Sequence, residues 1–123
     1  LKGVAQRAQA QFGISCMVHA STNDTKKLGE TAAVQIFRIA QEAVQNAIKH
    51  AQARKIVIRL ARTKGVWQLT VQDDGVGLPD NTPKTGGMGL RIMRYRAQML
   101  QGSLNVSKAE GGGTLVSCTL PAE

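Results

Sequence analysis

Residues 30–50, with the sequence ETAAVQIFRIAQEAVQNAIKH, decide the fold class of this protein. Apolar residues recur in this stretch at intervals of three and four, which is the spacing of an amphipathic helix with one buried face. The sequence therefore predicts a long helix from about Glu30 to His50. The apolar positions are Ile36, Ile39, Ala40, Ala43, Val44, Ala47 and Ile48.

The segments on either side of this helix contain both strand and helix patterns. Residues that alternate between apolar and polar predict strands, and a second stripe with helical spacing follows a tract rich in glycine and proline. The predicted strands are Ile14–Ala20, Lys55–Arg62, Val66–Gln72, Ser103–Lys108 and Thr114–Leu120. The other predicted helices are Leu1–Phe12, which ends at Gly13, and Leu90–Gln101, which ends at Gly102.

The order of these elements predicts an α+β fold. Two pairs of consecutive strands form hairpins and imply antiparallel pairing, and three helices suffice to cover one face of a sheet. We expect a single domain over residues 1–123, a two-layer α/β sandwich. Its mixed, mostly antiparallel sheet has about five strands, with three helices on one face. A Rossmann-type fold is excluded because strands and helices do not alternate throughout.

Composition restricts the possible functions. The 123 residues carry a net charge of +8, which favours an acidic partner, but aromatic residues are only 3% of the chain and offer no stacking platform for nucleic acid. No apolar run is long enough to cross a membrane. Cys16 and Cys118 are far apart and have no metal-ligand spacing, so we expect free buried thiols in a reducing cytosol. The chain begins at Leu1, so we expect a piece of a larger protein.

The long helix carries a polar stripe as well as its apolar one. Arg38, Glu42, Asn46 and Lys49 are spaced by four, four and three residues and therefore share one face. Amide and carboxylate oxygens suit Mg²⁺, and a lysine can hold a phosphate. The alternative is an ordinary solvated face with an ion pair between Arg38 and Glu42.

A second motif, Asp73-Asp74-Gly75-Val76-Gly77-Leu78, directly follows a predicted strand. A carboxylate repels phosphate, but it can accept a hydrogen bond from the exocyclic amine of a base such as adenine. Glycine lets the backbone approach a ligand closely. The alternative is an acidic turn, since Asp-Gly is a common turn dipeptide.

A third motif, Gly86-Gly87-Met88-Gly89-Leu90, lies at the start of the predicted helix Leu90–Gln101. Free N–H groups and the positive end of the dipole at a helix start can bind phosphate, although the same sequence fits a flexible loop. It does not have the spacing of a P-loop. The three motifs are complementary, and together they predict a site for a nucleoside triphosphate with Mg²⁺.

These motifs together resemble the ATP-binding catalytic domains of histidine kinases. Residues 41–51 look like the asparagine box of those domains, residues 73–77 like their first glycine box and residues 87–94 like their second. Gly112-Gly113-Thr114 is similar to their closing motif. The sequence most resembles sensor kinases of the nitrate-sensor type, within a superfamily that includes gyrase, heat-shock chaperone and mismatch-repair ATPases.

The resemblance implies a Bergerat-type ATP-binding fold and a role for each matching residue. Asn46 would bind Mg²⁺ with Glu42 nearby through water, and Lys49 and His50 would lie near the phosphates. Asp73 would accept from the adenine amine with support from Thr114. The remaining nucleotide-binding positions are Gly75, Gly77, Leu78, Gly87, Met88, Gly89 and Leu90, with residues 78–88 forming the ATP lid.

The resemblance also implies the reaction and the partners. The domain would donate the γ-phosphoryl group of ATP to a histidine on a separate dimerisation domain, with Glu42, Asn46 and Lys49 as the catalytic residues. The parent would be a homodimer that passes the phosphoryl group to a response regulator. This domain would be cytoplasmic and make no direct membrane contact, while the parent could lie in the cell membrane. Neither His19 nor His50 has the setting of an acceptor histidine.

Other functions stay open at this level. They are an ATPase that drives a conformational cycle with Glu42 as the base, a serine kinase of the anti-sigma type, and a nucleotide-binding module without turnover. A nucleic-acid binder is the least supported.

Overall fold

The structure is a computed structural model that describes residues 1–20, 28–49, 52–76 and 88–121, without the side chain of Met88. Within these residues the chain forms three helices and five strands. The predicted order of elements is confirmed across these residues. The elements are α1 (Lys2–Phe12), β1 (Ser15–Ala20), α2 (Glu30–Lys49), β2 (Lys55–Thr63), β3 (Val66–Asp73), α3 (Met88–Met99), β4 (Ser103–Lys108) and β5 (Thr114–Pro121).

The sheet is mixed and mostly antiparallel, as predicted. Its strand order is β1-β2-β3-β5-β4, and only the β1–β2 pair is parallel. Strand β5 therefore lies between β3 and β4. Because Gln72 pairs with Leu115 in this antiparallel register, the end of β3 meets the start of β5. That meeting point brings Asp73 close to Thr114.

One face of the sheet carries the core. Alternate residues of the three central strands are buried, because successive side chains of a strand point to opposite faces. Helix α2 adds six buried residues, and the interior side of α3 adds Met93 and Ala97. The buried strand residues are Ile56, Ile58, Leu60, Trp67, Leu69, Val71, Val116, Cys118 and Leu120.

Helices α2 and α3 lie side by side and run in opposite directions. The Arg96 Nη1 of α3 donates to the Gln35 Oε1 near the start of α2, at 3.0 Å. At the other end, Gly89 of α3 lies against Asn46 near the end of α2. The N-terminus of α3 is thereby placed beside the polar stripe of α2.

The ends of α3 differ from the prediction. The helix begins at Met88 instead of Leu90, so Gly89 belongs to its first turn. At the other end, Gln101 takes the left-handed conformation, with φ of 60°, and the Gly102 N–H donates to the Ala97 carbonyl at 2.9 Å. The stop is therefore a Schellman-type arrangement centred one residue before the predicted glycine.

Candidate functional site

The polar stripe of α2 provides the first part of the site. Glu42 and Asn46 are half-buried, one turn apart, and Lys49 is exposed at the last residue of the helix. The opposite face of the same helix is buried against the sheet. This burial fixes the rotation of α2 and points the stripe toward α3.

Gly89 of α3 lies against this stripe. A Cβ atom on Gly89 would collide with the Glu42 Oε1 and would lie 3.2 Å from Asn46 Nδ2 and 3.3 Å from Asn46 Oδ1. The sequence prediction that Gly89 precedes the helix is wrong, because the helix begins at Met88 and Gly89 lies in its first turn. A side chain at this position would displace the Glu42 carboxylate. Leu90, the next residue, is partly buried and packs against the core.

Asp73 forms the second part of the site. It is the last residue of β3 and continues the inward-facing series of Trp67, Leu69 and Val71, which leaves it only 7% exposed. Its Oδ1 accepts from the Gly75 N–H at 2.8 Å and from the Thr114 N–H at 3.3 Å. Both bonds use the same oxygen, so within the described part of the chain Oδ2 is left to accept from a ligand.

The loop before β5 is shaped around Asp73. Gly113 has a φ of +88°, and a Cβ atom there would collide with the Asp73 carbonyl oxygen. The Gly113 carbonyl accepts from the Ala109 N–H at 3.0 Å, which closes the turn between β4 and β5. This close approach positions the buried Thr114, whose backbone N–H reaches the carboxylate.

Burial dominates the electrostatics of Asp73. It raises the pKa of the carboxyl above its ordinary value, because the charged form loses hydration. Bonds from the Gly75 and Thr114 N–H groups lower the pKa in part, and the negative charge of Asp74 raises it further. The site therefore holds a partly desolvated carboxylate that gains from a hydrogen-bond donor on a ligand.

Asp74 lies beside the site and has no role in the sequence predictions. Its exposed side chain accepts from the Arg54 N–H and the Lys55 N–H, each at 2.9 Å, through Oδ1. These N–H groups, that of Lys55 foremost, hold the pKa of Asp74 below its usual value. The doubled aspartate was a visible signal, but only the strand pairing shows what the second one binds.

The donor set on α2 fits Mg²⁺. The oxygens of Glu42 and Asn46 both lie at the start of α3, and oxygen ligands are those that Mg²⁺ prefers. No group of three or more His, Cys, Asp or Glu side chains that could hold a metal occurs in residues 1–20, 28–49, 52–76 and 88–121. A site with few protein ligands suits Mg²⁺, because this ion usually keeps several waters and binds substrate phosphates.

The structure thus brings the predicted residues into two groups. Glu42, Asn46 and Gly89 lie together, and Asp73, Gly75 and Thr114 lie together. The predictions for four further positions, and for the side chain of Met88, lie outside the described residues. These positions are His50, Gly77, Leu78 and Gly87.

Comparisons with known proteins show the family of this chain. Residues 31–123 match the family described as histidine kinase-, DNA gyrase B- and HSP90-like ATPases. The nitrate/nitrite sensor protein NarX of Escherichia coli K12 is 43% identical over 91 residues, which are 74% of this chain and 15% of that protein. The chain thus spans about a seventh of that relative's length.

Solved structures show the same fold. The blue-light activated histidine kinase EL346 of Erythrobacter litoralis superposes with a TM-score of 0.80 at 30% identity, covering 98% of this chain and 40% of that one. The ATP-binding domain of PrrB from Mycobacterium tuberculosis gives 0.79 at 18% identity, covering 100% and 91%. In the described part of this chain, no helix is both long and apolar enough to cross a membrane.

Proposed function

Because this chain belongs to the family of histidine kinase-, DNA gyrase B- and HSP90-like ATPases, we propose that it binds Mg-ATP and phosphorylates a histidine on a separate dimerisation domain. The observation that carries the proposal is the buried Asp73 carboxylate: two backbone N–H groups hold its Oδ1, and within the described residues Oδ2 is left to accept from a ligand. Its relatives among the sensor kinases favour phosphoryl transfer over the other reactions of the family.

Base recognition is assigned to Asp73. Its Oδ2 would accept from the exocyclic amine of adenine, while guanine presents a carbonyl oxygen at the corresponding position and would be repelled. The N–H groups of Gly75 and Thr114 hold the other oxygen, Oδ1. We therefore expect selectivity for ATP over GTP.

Phosphate and metal binding are assigned to α2 and the start of α3. Asn46 and Glu42 would hold Mg²⁺, which supplies charge neutralisation on the phosphates when bound. Lys49 is exposed at the end of α2, where its ammonium can reach a phosphate. The backbone N–H groups of Gly89 and Leu90 lie in the first turn of α3, the position from which N–H groups of a helix can bind an anion.

The transfer step would need a nucleophile from outside this domain. A histidine nitrogen would attack the γ-phosphorus while the bond to the β-phosphate oxygen breaks and ADP leaves. His19 lies on the edge strand β1 and His50 lies outside the described residues. The parent protein would then be a homodimeric sensor kinase that serves a response regulator, with this domain on the cytoplasmic side of the cell membrane.

Calorimetric titration with ATP and GTP, each with and without Mg²⁺, tests the nucleotide site. We expect ATP to bind at least about tenfold more tightly than GTP, because mispaired polar groups at the base are costly. Asn46→Asp should alter the affinity for Mg-ATP far more than that for metal-free ATP, since it changes a metal ligand. Equal effects on these two affinities would show that Asn46 does not bind the metal.

The reaction is tested by adding a separately produced histidine-bearing domain. Label transferred from [γ-³²P]ATP to that domain, in a form labile to acid, would support histidine phosphorylation. Release of inorganic phosphate without labelled protein would favour the alternative ATPase, with Glu42 as the base that activates water. An acid-stable label would favour a serine kinase.

A further inference from the structure

The hydrogen bonds of Asp74 join two separate parts of the chain. Its Oδ1 accepts from the N–H groups of Arg54 and Lys55 at 2.9 Å each, and its own N–H donates to the Lys55 carbonyl at 3.2 Å. Three bonds from one residue therefore hold Arg54 and Lys55, the first residue of β2, against the end of β3. The side chain extends the ladder beyond its last paired residues, Ile56 and Asp73.

The residues that Asp74 holds lead directly back to α2. Gln52 takes a left-handed conformation with φ of 55°, and the Ala53 N–H donates to the Ala47 carbonyl at 3.1 Å, which ends the helix. Arg54 follows at once, and its carbonyl accepts from the Ser15 N–H of β1 at 2.9 Å. The segment that follows α2 is thus held at one end by the bond from Ala53 to the helix and at the other end by the bonds to Asp74.

From this geometry we infer that Asp74 is a positioning residue for the nucleotide site, holding the Asp73 carboxylate at a fixed distance from the end of α2. The inference rests on the proposed function, because Asp73 and α2 are the parts assigned there to the base and to the phosphates. One ATP molecule must reach both parts, so their relative placement controls its affinity. Asp74 acts only through its hydrogen bonds to backbone groups and does not touch the nucleotide.

The alternative is that Asp74 serves only as a surface charge. The two roles predict opposite effects, because ATP is an anion and the chain has a net charge of +8. Loss of one negative charge near the site would strengthen ATP binding by simple electrostatics. Loss of the positioning bonds would weaken it.

Two substitutions separate charge from geometry. Asp74→Asn removes the charge but keeps an oxygen that can accept from both N–H groups, whereas Asp74→Glu keeps the charge and moves the carboxylate by one methylene. Both are exposed changes, so we expect both variants to fold. We expect Asp74→Asn to bind ATP within about twofold of the parent and Asp74→Glu to bind about tenfold more weakly, the size of one charged hydrogen bond.

A double-mutant cycle with Asp73→Asn shows whether Asp74 acts through Asp73. We expect Asp74→Glu to have little further effect once Asp73→Asn has removed the base contact, because the two residues share one function. Independent, additive losses would overturn the inference. So would a pattern in which Asp74→Asn, and not Asp74→Glu, changes the affinity.

Hydrogen exchange without nucleotide tests the positioning role apart from ATP binding. The N–H groups of Gly75 and Thr114 bond to Asp73, so their exchange rates report where that carboxylate lies. We expect about tenfold faster exchange in Asp74→Glu and the parent rate in Asp74→Asn. If the parent binds no ATP, the proposed function fails, and the exchange rates still decide the role of Asp74: equal rates in all three proteins would refute it.

Discussion

At the scale of single residues, Asp73 shows how position on a strand creates a binding group. The alternation of β3 places residue 73 on the buried face, where an apolar residue would ordinarily stand. Two backbone N–H groups stabilise its charge, but burial outweighs them and raises its pKa. The charged carboxylate of Asp73 therefore lowers the free energy of unfolding, but it can accept a hydrogen bond from a ligand.

Asp73→Asn should therefore separate stability from binding. The amide oxygen can keep both backbone bonds, while the amide nitrogen takes the place of Oδ2 and presents donors to an amine. We expect ATP affinity to fall by about a hundredfold, as expected for mispaired polar groups in a buried site, and the melting temperature to rise by about 2 °C at neutral pH. Calorimetry and thermal unfolding measure the two effects.

The pH dependence of this stability has a definite sign. A carboxyl whose pKa is raised on folding carries no penalty below its unfolded pKa of about 4, and the penalty develops as the pH rises through the folded pKa. The advantage of Asp73→Asn in melting temperature should therefore vanish below about pH 4. A constant advantage at every pH would show that burial of the charge is not its cause.

At the scale of elements, the contact between α2 and α3 joins the predicted metal ligands to the first turn of α3. Gly89 permits the contact, because any larger residue would meet Glu42 and Asn46. The Glu42 carboxylate is the end of a flexible side chain and can move aside. The cost of filling Gly89 should therefore appear in binding more than in folding.

The matched substitutions Gly89→Ala and Gly3→Ala test this contact, since both glycines are the second residue of a helix. A Cβ atom on Gly3 meets nothing within 4 Å. We expect Gly3→Ala to raise the free energy of unfolding by about 0.5 kcal/mol and to leave binding unchanged.

Gly89→Ala should instead reduce the Mg²⁺ enhancement of ATP affinity by about tenfold, because it displaces an oxygen ligand. Its metal-free ATP affinity and its circular dichroism spectrum should stay close to those of the parent. If Gly89→Ala keeps the full enhancement by Mg²⁺, the side chains of Glu42 and Asn46 do not depend on this contact.

At the scale of the whole molecule, the two cysteines report on the integrity of the core. Both thiols are free and buried, as predicted, but they lie at different depths of the sheet. Cys118 is fully buried in β5 between Leu69 and Leu104, and burial raises its pKa to about 11. Cys16 lies in the edge strand β1, where burial also raises the pKa.

Alkylation of the native protein at about pH 8 should therefore be slow and ordered. We expect Cys16 to react at least about tenfold faster than Cys118, because an edge strand opens at lower free energy than a central one. Mass spectrometry after timed quenching measures both rates. Rapid modification of Cys118 in the absence of denaturant would indicate that β5 is not part of the most stable core.

The sequence by itself determined the kind of elements and the fold class, and it predicted the residues of a candidate site. Periodicity places Ile39 and Ala43 of α2 on a buried face without reference to any other segment, and motif spacing puts Glu42 and Asn46 on a common face. Such patterns are local, because they depend on the repeat of one helix or strand. They sufficed to predict a magnesium–nucleotide site.

Tertiary structure alone decided how these parts meet. The insertion of β5 beside β3 brings Thr114 to Asp73, and the antiparallel arrangement of α2 and α3 brings Gly89 to Asn46. The bonds from Asp74 to Arg54 and Lys55 depend on the same pairing of distant strands. No local repeat encodes these contacts, because they arise from the burial of several elements against one sheet at the same time.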